Sequence, residues 1–248
     1  MKNATEFAKK FKTFRKTLPT ADGSASKSDA VCEVIYSSLL WNATPRQATT
    51  AFKKMIKSSV DLNELRVNVI TETMELIGVN YPQAFERSKR LRTVLNAIYL
   101  REHSMEVASL DGAGKRDIRE YFETLSGITP FVCNRVIAIQ YGVAAIPIDN
   151  RTHEALASNG IISEDADIEE TTTWLGRQVK SDDVCDVHAQ LHAWASTQPV
   201  KPAPKPTAKS TNGTAKVVKK ATTKKKVTKV AKKKTTSKKK VSKKTKKK

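Results

Sequence analysis

Apolar side chains recur along this chain every three to four residues, and period-two alternation is almost absent. That rhythm predicts helices without a sheet. Phe7, Phe11, Phe14 and Leu18 mark an amphipathic first helix, which Pro19 ends. The run from Asp29 to Trp41 is apolar enough for a buried helix. Pro45 suits the first turn of the next, which runs toward Ser58. Asp61-Leu-Asn-Glu opens another, with its acids at the positive end of the helix dipole. Gly78-Val-Asn-Tyr-Pro interrupts the pattern. From Gln83 to Glu102, Phe85, Leu91, Val94, Leu95, Ile98 and Tyr99 share one face, with basic residues opposite. After the loop Asp111-Gly-Ala-Gly, the segments 115–125, 130–141, 150–158, 167–180 and 182–196 complete about ten helices. The expected class is all-α.

Charge divides the chain sharply. The net charge is +20, but residues 201–248 hold 21 lysines with no arginine and no acid. The first 200 residues, with 24 basic and 25 acidic side chains, are nearly neutral, and they contain every Trp, Tyr and Phe. A block of like charge with only scattered Val and Ala cannot collapse into a core, so a disordered interaction tail is expected over 198–248. Lysines there, Lys224, Lys225, Lys226, Lys232, Lys233 and Lys234 among them, neutralise phosphates without reading bases. The bland alternative is an idle solvated tail. Cys32, Cys133 and Cys185 are odd in number and widely spaced, which argues for a reducing compartment. No apolar run approaches the roughly 20 residues of a membrane span, and the N-terminus lacks the apolar core of a secretory signal. The expectation is an intracellular monomer, cytoplasmic and nucleoid-associated, or nuclear in a eukaryote.

The most informative stretch is 121–152, YFETLSGITPFVCNRVIAIQYGVAAIPIDNRT. It reads as helix, tight turn, helix, short loop, and a new helix start at Asp149. Gly127 permits backbone angles that other residues avoid. Pro130 sits where a helix tolerates proline. Such a turn offers backbone N–H groups at a helix N-terminus, an anion site that a DNA phosphate fits.

With this stretch in place, the sequence resembles the helix-hairpin-helix (HhH-GPD) glycosylase superfamily, of which endonuclease III is the familiar member. LSGIT is similar to that family's hairpin, and IPID ending at Asp149 to its active-site aspartate segment. LLWNATPR (39–46) resembles its early helix end, 76–99 its middle helices, and DVHAQLHAW (186–194) the helix before its iron–sulfur loop. The order and spacing of five segments carry the resemblance over most of 28–196. It implies a two-lobed helical domain over 28–197, preceded by an N-terminal helix and linker over 1–27. It also implies a grip on duplex DNA through Leu125, Gly127, Ile128 and Thr129, with Trp41 and Asn42 filling the gap left by an extruded base. Asp149 would support glycosidic-bond cleavage.

Three departures qualify that picture. Phe131 stands where the family's lyase members carry lysine, and a phenyl ring forms no Schiff base. The cluster cysteines are replaced by Ser196-Thr-Gln-Pro, so no iron–sulfur cluster, and no other metal or cofactor, is expected. The hairpin's second glycine is Thr129. Plainer readings stand beside the functional ones. Asp149 is also an N-cap for the helix from Asn150, and Trp41 closes an apolar helix as core residues do. His188 and His192, with Cys185 a turn earlier, have metal-like spacing but no fourth ligand, and packing against the hairpin explains them equally. Cys133 reads as inert packing. The function expected is base-excision repair by a DNA glycosylase without lyase chemistry. The alternative is a catalytically silent DNA-binding or chromatin-like architectural protein.

Overall fold

The computed structural model describes residues 4–21 and 29–199. The regular elements among them are all helical: α1 (Ala4–Arg15), α2 (Ala30–Leu40), α3 (Pro45–Ser58), α4 (Leu62–Val67), α5 (Ile70–Ile77), α6 (Ala84–Glu102), α7 (Lys115–Glu123), α8 (Pro130–Tyr141), α9 (Asn150–Ser158), α10 (Ile168–Gln178) and α11 (Val184–Thr197). Short 3-10 turns fall at Ala108–Leu110 and Ser181–Asp183.

Local chemistry starts most of these helices. Thr44 and Gln47 form a reciprocal capping box ahead of α3, with Pro45 at its first position. Asp61, Asp149 and Asp167 each accept the backbone N–H three residues on. The single helix expected after Asp61 is two. Asn68 N–H closes α4 on the Glu64 carbonyl, and Val69 N–H donates to Glu72 Oε2 at 3.0 Å, which starts α5 afresh.

Two buried clusters make two lobes. The first is drawn from α2 to α8 and includes Val34, Ile35, Leu39, Leu95, Ile98 and Phe122. The second joins Phe11 of α1 to Leu156, Trp174, Leu175, Val187 and Leu191, with Ile146 and Ile148 of the loop before α9. Helix α1, read from the sequence as lying ahead of the domain, is part of this second core. Phe11 meets Trp174 edge-on at 6.0 Å, Phe14 meets Trp194 at 4.7 Å, and Arg15 pairs with Asp183 at 2.9 Å. Helix α8 serves both lobes: most of its buried residues belong to the first, and Ala138 to the second.

The buried stripe of α6 differs from expectation. Phe85 is 59% exposed, and the stripe runs Ala84, Arg87, Ser88, Leu91, Val94, Leu95 and Ile98. Arg87 takes a core position because the end of α2 needs donors. Asn42 N–H turns away from the α2 ladder, leaving the Ser38 carbonyl without its usual partner. Arg87 donates to the carbonyls of Ser38, Leu39 (3.0 Å), Trp41 and Pro82 (3.1 Å). Tyr81 Oη adds a second donor to Leu39 at 2.8 Å. Burial pulls the Arg87 guanidinium down to about 10, still charged at neutral pH. The α2 dipole's negative end, where those carbonyls lie, compensates that charge.

Candidate functional site

The turn between α7 and α8 is built around Gly127, at φ +85°. A Cβ there would lie 2.9 Å from Thr93 Cβ and 3.1 Å from the Arg90 carbonyl, so both the backbone angle and the packing on α6 require glycine. Ile128 N–H bonds the Leu125 carbonyl, and Leu125 N–H bonds Phe122. The Leu125 side chain is buried in the first core. Leu125 thus shapes the turn from within, and the outward residues are 127–129. Thr129 caps α8, its Oγ1 accepting from Val132 N–H at 3.3 Å. The Gly127 and Thr129 N–H groups have no hydrogen-bond acceptor among the described residues. Beside them is a crevice lined by Ser38, Trp41, Arg90 and residues 127–129, whose roughly 10 Å³ of usable space admits about one water.

Asp149 lies where the lobes meet. Its Oδ1 accepts Thr152 N–H at 2.8 Å, and its Oδ2 accepts Asn42 N–H, from the other lobe, at 2.9 Å. His192 Nε2 stands 3.6 Å from Oδ2, beyond hydrogen-bond range but close enough for a strong field. Burial alone would push this carboxyl up. The His192 imidazole and the Thr152 donors outweigh it and hold Asp149 at about 2. The carboxylate is therefore ionised at neutral pH, and its side chain has 0% exposure.

Phe131 of α8 faces the same region, its ring 5.8 Å from His188 and 6.2 Å from His192. Behind it runs a buried polar chain that sequence reasoning missed. Glu33 of α2 pairs with Arg135 of α8, which also donates to Ser37 Oγ at 2.8 Å and, through Nε, to His188 Nε2 at 3.2 Å. A guanidinium only donates, so His188 Nε2 is the acceptor, and its proton is on Nδ1, facing the Pro147 carbonyl at 3.2 Å. Burial first, then the Arg135 charge, push His188 well below its usual range and keep it neutral. The chain pins Pro147 two residues before Asp149. With both ring nitrogens engaged, His188 has no lone pair to give a metal, and among the described residues no group of three or more His, Cys, Asp or Glu could hold one. Burial pushes the Cys133 thiol up to about 12, which leaves it unreactive.

Asn42 touches Asp149 through its main chain and Gln83 through its side chain. Asn42 and Gln83 both adopt left-handed backbone angles, φ +54°. The Asn42 side chain accepts Asn150 N–H at 3.1 Å and reaches Gln83 Oε1 at 3.4 Å. Next to them Val79 (66%) and Phe85 (59%) project from the loop into α6 and its first turn. The one sequence signal for these tips was the Gly-Val-Asn-Tyr-Pro break. Arg87 was legible in principle, as a lone cation on an apolar stripe. Lys224, Lys225, Lys226, Lys232, Lys233 and Lys234, with the expected boundaries near 27 and 198, lie outside or at the edge of the described residues. A groove of about 820 Å³ lies elsewhere, between the starts of α2 and α4 and the loop after α6. Asp29, Asp61, Glu106 and Asp111 line it, a field that repels phosphate.

No family model matches this sequence, and no curated protein matches it either. Solved structures do match in fold. A trapped endonuclease III–DNA covalent intermediate, in an estranged-adenine complex, aligns with a TM-score of 0.59 at 16% identity, over 77% of this chain and 85% of the other. A thermostable thymine-DNA glycosylase aligns at 0.55 and 15% identity, over 80% and 89%. A Clostridium acetobutylicum 8-oxoguanine glycosylase/lyase, bound to double-stranded DNA, aligns at 0.52 and 13% identity, over 68% and 60%. The chain has the helix-hairpin-helix glycosylase fold. It is the two-lobed arrangement that the hairpin and Asp149 segments led one to expect. Among the described residues no helix is long and apolar enough to cross a membrane.

Proposed function

We propose that this protein binds duplex DNA with the face formed by residues 127–129, Trp41, Asn42 and the loop before α6, and removes a base by hydrolysis at Asp149. The observation that carries this reading is the state of Asp149. It is an ionised carboxylate, fixed by two backbone amides at the junction of the lobes. A carboxylate so held stabilises the positive charge that grows on a deoxyribose ring as its base departs. The base leaves with the bonding pair, a water oxygen takes its place on the sugar carbon, and the proton that water gives up balances the charge on the departing base. The endonuclease and glycosylases that share the fold agree with the reading. Phe131 offers no amine, so the product is an abasic site in an unbroken strand. The 21 lysines of 201–248 add sequence-independent affinity.

The test is a panel of duplexes, each with one damaged or mismatched base, incubated with the full chain and then with alkali. Release from at least one duplex is expected, with no adduct trapped by borohydride. Asp149→Asn should slow release by a factor of roughly 10² or more, with little change in DNA affinity, because the charge is needed only as the sugar becomes cationic. Normal release by that variant reduces Asp149 to a cap. A second reading, a silent DNA-binding protein, is favoured by the complete enclosure of the Asp149 side chain and by the Phe131–His188–His192 packing. It prevails if every duplex binds and none loses a base.

A further inference from the structure

Helix α6 carries Lys89, Arg90 and Arg92 within one turn, and the three are not alike. Lys89 and Arg92 are exposed and stand clear of the crevice at the hairpin turn, whereas Arg90 is half-buried and lines it. Arg87 lines it too, but its donors are spent on the carbonyls at the end of α2 and on Pro82. Two contacts fix Arg90 there. Its carbonyl lies 3.1 Å from where a Gly127 Cβ would stand, so the turn rests on this residue's own backbone. Its guanidinium carbon lies over the Trp41 ring, 5.7 Å from the centroid.

Arg90 is only partly engaged. Its Nε donates to Glu86 Oε1 at 2.7 Å, and its two Nη nitrogens have no hydrogen-bond acceptor among the described residues. Both side chains of that pair are solvated, at 39% and 44% exposure, so the pair contributes little and parts at small cost. At the same crevice the Gly127 and Thr129 N–H groups are without an acceptor among the described residues. The gap itself is too small for a phosphate, so an anion meets these donors at its mouth.

We propose that Arg90 is a phosphate-binding residue of the DNA face, and that Glu86 is the counter-ion which the phosphate displaces. The proposal rests on the DNA-binding face described under the proposed function. A guanidinium fork matches two oxygens of one phosphate, whereas Glu86 engages Nε alone. The exchange therefore trades one solvated contact for a paired one. Arg90 stands on α6 and residues 127–129 on the turn between α7 and α8, so a phosphate held by both is fixed from two elements. The exchange also accounts for an acid on a face that meets DNA. In the free protein Glu86 keeps the guanidinium beside Trp41, aligned and ready, at little cost to its release.

The test uses the full chain on a duplex with a non-cleavable abasic analogue, titrated with salt. Arg90→Met loses a surface pair only and should fold like the parent, which the urea midpoint checks. It should bind about ten-fold more weakly, the worth of one charge-assisted contact. Its log–log salt slope should be shallower by about 0.9, the signature of one lost phosphate contact. Arg90→Lys should keep the slope. In a set of duplexes each with one neutral methylphosphonate, one position should weaken the parent by the same factor and leave Arg90→Met unaffected. Glu86→Gln should bind about two- to five-fold more tightly, the worth of a surface ion pair. Weaker binding by Arg90→Met at an unchanged slope would mean that Arg90 acts through its packing on Trp41, and overturns the phosphate contact. No gain from Glu86→Gln overturns the exchange. If Arg90→Met binds like the parent while Gly127→Ala is weakened, Arg90 is wrong and the hairpin reading stands. If both bind like the parent, the DNA face under the proposed function falls, and Arg90 with it.

Discussion

Replacing Arg87 with methionine should test how the site is held together, because that guanidinium ends α2 and steadies the peptide that binds Asp149. Methionine keeps an apolar stem of similar reach and removes every donor. Of four carbonyls served by Arg87, Leu39 retains Tyr81, whereas those of Ser38, Trp41 and Pro82 lose their donor. An unmade buried hydrogen bond costs about 1–3 kcal/mol. Release of a desolvated charge, already weakened to about 10, offsets part of the sum. The net loss should be about 3–5 kcal/mol, typical of breaking a buried charged arrangement. At about 2–4 °C per kcal/mol for a domain of this size, Tm should drop by roughly 6–20 °C. Arg87→Lys should recover less than half, since one ammonium cannot span carbonyls that a planar fork reaches. Urea and thermal denaturation at pH 7 measure both. A loss below about 1 kcal/mol for Arg87→Met, or full rescue by lysine, would show that the carbonyls at the end of α2 find other donors and that this account of Arg87 is wrong.

Three further outcomes follow from the geometry. Gly127→Ala should cost about 1–3 kcal/mol and weaken DNA binding, because the added methyl meets Thr93 and the Arg90 carbonyl at φ +85°; an unchanged urea midpoint would contradict it. Acid should destabilise the fold from about pH 6.5 downward: native His188 is held neutral, so the unfolded chain takes up a proton that the native state refuses, a slope of up to about 1.4 kcal/mol per pH unit. The depressed Asp149 extends the loss as pH falls from 3.8 toward about 2, and a profile flat between pH 6.5 and 4.5, or unaltered in His188→Gln, would refute the assignment. Deleting 201–248 removes 21 lysines and should flatten the salt dependence of duplex binding by several units of log–log slope, at about 0.9 per phosphate contact; equal slopes in a salt titration of both chains would show that those lysines are not the general DNA-binding element.

The parts of this protein legible in the sequence are those decided within one turn of chain. Thr44 before Pro45, Asp61 before Leu62 and Asp149 before Asn150 each announce a helix start. Gly127 and Pro130 announce the hairpin. What stayed hidden depends on partners far along the chain. The apolar face of α1 was visible, but its destination against Trp174 and Trp194 was not. Phe85 looked like core because aromatic residues usually are, yet the helix end opposite needed Arg87 there more. Glu33, Arg135 and His188 lie some 50 to 100 residues apart, and nothing local marks them as one network. Asp149 was found through a resemblance; that Asn42 bonds both it and Asn150 could be learned only from coordinates.

Helix α8 begins at the hairpin and, near its other end, lends Ala138 to the second core while Tyr141 stays with the first, without a break between. Mechanically it is an axle common to both lobes. A load applied at residues 127–129 would pass along a hydrogen-bonded rod to Ala138, which shares a core with Ile146 and Ile148 just ahead of Asp149. If the proposed function holds, a clamp built on such a rod would make its ligand do the bending. Among duplexes, those with the most compliant backbone, such as mismatched or damaged ones, conform at the smallest elastic cost. Selectivity for weakened DNA would then arise from the stiffness of one helix, before any side chain has touched a base.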